Sequence, residues 1–90
     1  FGRTNEVLNL EPLKEKWRAF NWQAIEIDGH NFNEIESAIN KSHLSKDKPT
    51  VIIAHTIKGK GLSIIEDNND YHYKTPREKE LKVAKKEGLI

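Results

Sequence analysis

Ninety residues make one small domain. The charged share is 32% and the hydrophobic share 36%, and a net charge of +1 argues against a dedicated nucleic-acid or membrane surface. Cysteine is absent, which excludes a disulfide framework and a thiolate metal site, and nothing approaches the roughly 18 apolar residues of a membrane span or a signal peptide, so a cytoplasmic protein is expected.

In chain order, residues 1–9 show no period and read as an irregular lead-in. Pro12 suits the first turn of a helix, where its missing N–H costs little. Leu13, Trp17 and Phe20 then fall on one helical stripe and read as core. Asn21 tolerates a left-handed backbone and stops that helix. Residues 22–27 read as a strand with Ile25 and Ile27 on one face, and Asp28-Gly29-His30 as a turn. Asn31 caps a second helix, with Glu34 completing a capping box and Phe32, Ile35, Ala38 and Ile39 as the apolar face. Residues 41–49 form a polar loop. Residues 50–55 read as a strand, and the apolar run Val51-Ile52-Ile53-Ala54 predicts burial on both faces of a parallel sheet. Residues 57–73 form a connection long enough to be functional. Thr75-Pro76-Arg77-Glu78 predicts a capped helix that Gly88 ends, with Leu81 and Ala84 as its apolar seam. The fold class is α/β: part of an open, mostly parallel sheet flanked by helices.

The most informative segment is Thr56-Ile57-Lys58-Gly59-Lys60-Gly61, directly after the buried strand. A glycine-rich turn with a lysine can bring backbone N–H groups and a cation to a phosphate. It is not a Walker loop, because the G-x-x-x-x-G-K-[ST] spacing is missing. With Trp17-x-x-Phe20-x-Trp22, Ile27-Asp28-Gly29-His30, Lys48-Pro49-Thr50-Val51-Ile52 and Tyr71-His72, in that order, the chain resembles the second half of the diphosphate-binding domain of transketolases, and most closely the split transketolases. The resemblance covers nearly the whole chain.

The resemblance implies thiamine diphosphate as cofactor and transfer of a two-carbon ketol unit between sugar phosphates. It places Lys58 on the diphosphate. His72, fourteen positions on, would reach the diphosphate and the substrate's oxygens, making it the expected catalytic, cofactor-binding and substrate-binding residue. Tyr71 stands where the family often has Trp, and Tyr73 where many members have Gly. The family holds Mg²⁺ through a G-D-G motif and a later Asn, which suit a hard ion bridging phosphates. This chain has neither, so the Mg²⁺ ligands are expected outside it, in an upstream half of the domain. The chain starts at Phe1 and contains no Met, which reads as a piece of something longer, inactive by itself. The expected partners are the remainder of the N-terminal section and a C-terminal transketolase section, as a homodimer or heterotetramer. A chain this short buries only roughly 60–65% of its unfolded surface, so it is expected to lean on neighbouring protein. The alternatives are a deoxyxylulose-phosphate synthase-like enzyme and a non-catalytic interaction piece.

Other residues carry blander readings. Lys60 is expected at the surface. His30 and His55 read as structural, His43 as solvent-facing, and Asp28 as a turn residue. The run Glu66-Asp67-Asn68-Asn69-Asp70 lacks the calcium-loop register and reads as a solvated turn. No histidine pair has the spacing of a zinc site, and the mixed-sign Lys and Glu residues of the last helix suit an exposed face.

Overall fold

The computed structural model describes residues 2–90. They form two compact units, Arg3–Thr56 and Ile57–Ile90, the latter with Gly2. The first contains a one-turn helix α1 (Thr4–Val7), α2 (Leu13–Ala19), β1 (Gln23–Asp28), α3 (Phe32–Leu44) and β2 (Thr50–His55). The second contains a 3₁₀ turn, Asn69–Tyr71, and α4 (Glu78–Lys86).

The sheet of the first unit has two parallel strands, paired in register from Gln23↔Thr50 to Asp28↔His55. A parallel pair needs a crossover, and α3 supplies it. Both α2 and α3 pack on β1. That is why Ala24 and Ile27 of β1 and Ala38 of α3 are buried. The Trp17 and Trp22 rings meet at 4.8 Å, tilted by 58°, across the bend between α2 and β1. Asn21 makes that bend with φ +66, as its sequence position predicts.

α3 starts on the expected cap. Asn31 Oδ1 accepts from Glu34 N at 3.1 Å. The return arm differs from a capping box, because Glu34 Oε1 accepts from Asp28 N at 3.2 Å and not from the cap residue. That bond ties the start of the helix to the end of β1. Gly29 is required there by close approach. Its N–H donates to His55 O at 2.8 Å, and an added Cβ would lie 2.6 Å from Thr56 Cγ2.

The structure departs from the sequence pattern at several points. Within the irregular lead-in, Thr4–Val7 close one helical turn. Pro12 sits at the N-cap of α2 and not inside its first turn. The polar loop is shorter than expected, because α3 continues to Leu44. Phe20, read as core, and Phe32, placed on the apolar face of α3, are 78% and 86% exposed. Among the described residues β2 has only β1 beside it, and its apolar residues 51–53 are half-buried while Ala54 is exposed. The period of the sequence identifies the faces these residues belong to, but too few elements are present to cover them.

In the second unit, α4 begins two residues later than Thr75 and Pro76 suggest. Arg77 is the cap, and its N–H donates to Glu80 Oε2 at 3.1 Å. The helix ends where expected. Gly88 has φ +78, its N–H donates to Lys85 O at 3.1 Å, and Leu89 N donates to Ala84 O at 2.9 Å. This paired ending satisfies two terminal carbonyls and requires a left-handed residue between them. Of the predicted seam, Ala84 is buried and Leu81 is 50% exposed.

Candidate functional site

The lysine turn begins two residues after β2 ends. It is shaped by glycine: φ is +73 at Gly59 and +110 at Gly61. At Gly59 an added Cβ would come within 2.7 Å of Ile65 O, so both conformation and space demand glycine. The turn is closed by Lys60 N donating to Ile57 O at 3.2 Å and Leu62 N donating to Gly59 O at 3.3 Å. Gly61 N donates to Glu66 Oε1 at 3.0 Å. These three amides are thus engaged within the protein. Lys58 and Lys60 are both exposed. Among the described residues, no hydrogen bond or ion pair holds the Lys58 ammonium. Its carbonyl accepts from Asp67 N at 2.7 Å, which folds the segment back on itself, with Asp67 at φ +53.

The acidic run proves to be a sequence of turns. Asn68 Oδ1 accepts from Asp70 N at 3.0 Å and starts the 3₁₀ turn Asn69–Tyr71. His72 follows it, exposed, with N–H donating to Asn69 O at 3.2 Å. Its ring stands edge-on to Tyr73, with centroids 4.5 Å apart and planes at 89°. Lys58 and His72 therefore lie in one unit, both exposed and both capable of donating to an anion.

Sequence reasoning missed the anchors of this loop. The Tyr71 hydroxyl donates to Glu80 Oε1 at 2.7 Å. This bond is the main reason that the Tyr71 phenol is pushed up and the Glu80 carboxyl held down. Ser63 donates its N–H to Glu87 Oε1 at 3.2 Å, and its hydroxyl makes a short bond to the same carboxylate. Alternating Lys and Glu along the last helix gave the only signal, and it reads as solvation until the partners are known. A concavity of about 390 Å³ lies against this segment, lined by Tyr71, Tyr73, Lys74, Thr75, Arg77 and Glu80.

The remaining histidines fall in the first unit. His55 Nε2 lies 3.5 Å from Glu26 Oε1, a pairing of neighbouring strands. His43 is exposed in the last turn of α3. His30 is half-buried and donates its N–H to Asp28 Oδ1 at 2.9 Å, so Asp28 is a turn-forming residue. A larger open cleft of about 720 Å³ lies near the start of the strands, lined by residues that include Trp22, Lys41 and Lys48. It contains none of the expected site residues. Among the described residues no group of three or more His, Cys, Asp or Glu could hold a metal ion, and no helix is long and apolar enough to cross a membrane.

Comparison with known proteins adds an independent line. Residues 2–88 match the family described as transketolase, thiamine diphosphate binding domain. The chain is 51% identical over 65 residues to the 6-deoxy-6-sulfo-D-fructose transketolase subunit SqwG of Clostridium sp. (strain MSTE9), covering 72% of this chain and 24% of that protein. It is 33% identical over 86 residues to an apulose-4-phosphate transketolase subunit of Phocaeicola vulgatus, covering 96% of this chain and 31% of that protein. Against the transketolase of Homo sapiens it is 39% identical over 65 residues, which are 72% of this chain and 10% of that protein. The chain thus spans less than a third of the length of each of these relatives.

Proposed function

Because this chain belongs to the transketolase thiamine diphosphate-binding domain family, we propose that it forms one wall of the cofactor site of a split transketolase, with Lys58 and His72 holding the diphosphate. The observation that carries this reading is the Lys58 turn. An exposed cation is set on a backbone whose two positive-φ glycines admit no ordinary side chain, in a loop that leaves the carboxyl end of a parallel strand.

The donor set fits an anion. Lys58 supplies a compact positive charge. The imidazole of His72 carries a ring N–H that can donate to a phosphate or to a substrate oxygen. The same set does not fit Mg²⁺, which requires hard oxygen ligands. Those ligands belong outside these residues, in a preceding half of the same domain, and this chain is the domain's C-terminal part. When bound, thiamine diphosphate supplies the stabilised carbanion chemistry of ketol transfer. The task of this chain is to neutralise the diphosphate, fix its position and aim His72 at the oxygens of a sugar phosphate. Two of the relatives are named as subunits, and by analogy a partner polypeptide completes the site.

The test is cofactor titration of the complete enzyme, parent chain with its partner polypeptide, comparing wild type with Lys58→Ala. Loss of one charge-assisted hydrogen bond, about 1.5–3 kcal/mol, weakens thiamine diphosphate binding by roughly ten- to a hundredfold. An unchanged affinity would remove Lys58 from the site.

A further inference from the structure

The loop that carries the proposed ligands is gripped by one helix at two points. Glu87, which caps the end of α4, takes both the N–H and the hydroxyl of Ser63, just past the lysine turn. Glu80, in the first turn of α4, takes the hydroxyl of Tyr71, the residue before His72. Seven residues separate the two carboxylates, so they share a face of α4 about 10 Å apart along its axis. Glu80 is itself fixed, because its second oxygen accepts from Arg77 N at the helix start. Within the loop, Asp67 N on Lys58 O and Gly61 N on Glu66 close the shorter arcs. Every bond in this chain of contacts lies within the unit Ile57–Ile90.

We infer that α4 is a positioning element for the diphosphate site, in which the Tyr71–Glu80 bond sets the place of His72 and the Ser63–Glu87 bonds hold the far end of the lysine turn. Tyr71 and Glu80 are positioning residues: they act through His72 and touch no substrate. The inference rests on the site reading above and adds to it the device that fixes one ligand relative to the other. Effective catalysis by an oriented group depends on geometry at the scale of an ångström, so a loop with few buried contacts requires such anchors. Tyrosine suits this task here. Its ring is half-buried while its hydroxyl reaches the carboxylate.

The experiment uses the complete enzyme and two readouts. Steady-state kcat/KM is measured for Tyr71→Phe, His72→Ala and the double variant. Amide hydrogen exchange is followed in residues 69–73 of wild type and Tyr71→Phe. The expected result is a loss of about three- to tenfold for Tyr71→Phe, the size of one hydrogen bond. The loss is absent on the His72→Ala background, as coupled sites require. Exchange at residues 69–73 accelerates in Tyr71→Phe. If Tyr71→Phe costs as much with His72 removed as with it present, or if exchange does not change, the positioning role is wrong. If His72→Ala itself leaves kcat/KM unchanged while Tyr71→Phe still accelerates exchange, the anchor stands and the site reading falls.

Discussion

The two halves of this chain are held together by different forces. Residues 3–56 are organised by a backbone ladder and by apolar contact. A parallel pair of strands, a crossover helix and a second helix all converge on β1, and Ala24, Ile27 and Ala38 lie where they meet. Residues 57–90 have one buried apolar side chain, Ala84, and are organised by polar ties: glycine-shaped turns, a tyrosine and a serine bonded to carboxylates on α4, and a paired C-terminal cap. The first arrangement resists deformation because burial is lost all at once. The second can be adjusted one bond at a time, which suits the proposed role of presenting ligands in fixed places.

That contrast can be broken by substitution, most sharply at Ile27. Ile27→Ala in the parent chain removes a buried side chain from the one strand on which both flanking helices rest, and about 2–5 kcal/mol of stability should go with it, read from the denaturation midpoint. A change below about 1 kcal/mol would mean that apolar packing does not organise this half. The polar half is probed at Gly59. Alanine there meets Ile65 O and adopts a left-handed backbone, at a cost of about 1–3 kcal/mol. The loop should yield before the fold does. Thiamine diphosphate affinity of the complete enzyme therefore falls severalfold in Gly59→Ala, while the midpoint moves less than for Ile27→Ala. An equal shift in midpoint with normal affinity would reverse the assignment of roles.

The same contrast explains what the sequence made legible. β2 was readable to the residue, and β1 and the start of α3 nearly so, because periodicity, Asn31 and Gly29 all report on local backbone. Gly88 was readable for the same reason. Phe20 and Phe32 were not, since a hydrophobic stripe tells which side of a helix seeks cover and says nothing of whether cover is present. Lys58 and His72 are proposed as ligands from motif and spacing, whereas the bonds that anchor their loop could not be read. Tyr71 and Glu80 are nine residues apart on different elements, and only the fold brings a phenol onto that carboxylate. Glu66 on the Gly61 amide was hidden in the same way, inside what reads as a solvated acidic run.

The smallest expected effect is also the most specific to the polar half. The Tyr71 hydroxyl holds the Glu80 carboxyl below its ordinary value, so the contribution of Glu80 to the folded loop is present above the ordinary carboxylate range and is lost as pH falls through the lowered value. The same bond, more than burial or the nearby Asp70 charge, raises the Tyr71 phenol. Its contribution is complete below the ordinary phenol range and is lost as pH climbs through the raised value. The tie therefore holds across neutral pH and opens at both extremes. Both groups face water, so the effect is local: exchange at residues 69–73 should differ between wild type and Tyr71→Phe over a plateau from roughly pH 6 to 9, set by ordinary carboxyl and phenol titration. Towards acid or alkali beyond that plateau the two proteins should converge, after correction for intrinsic exchange. A difference that persists with Glu80 protonated or Tyr71 ionised would show that the Tyr71 hydroxyl acts through a partner other than the Glu80 carboxylate, and no difference at any pH would show that the ring, which both proteins keep, anchors the loop.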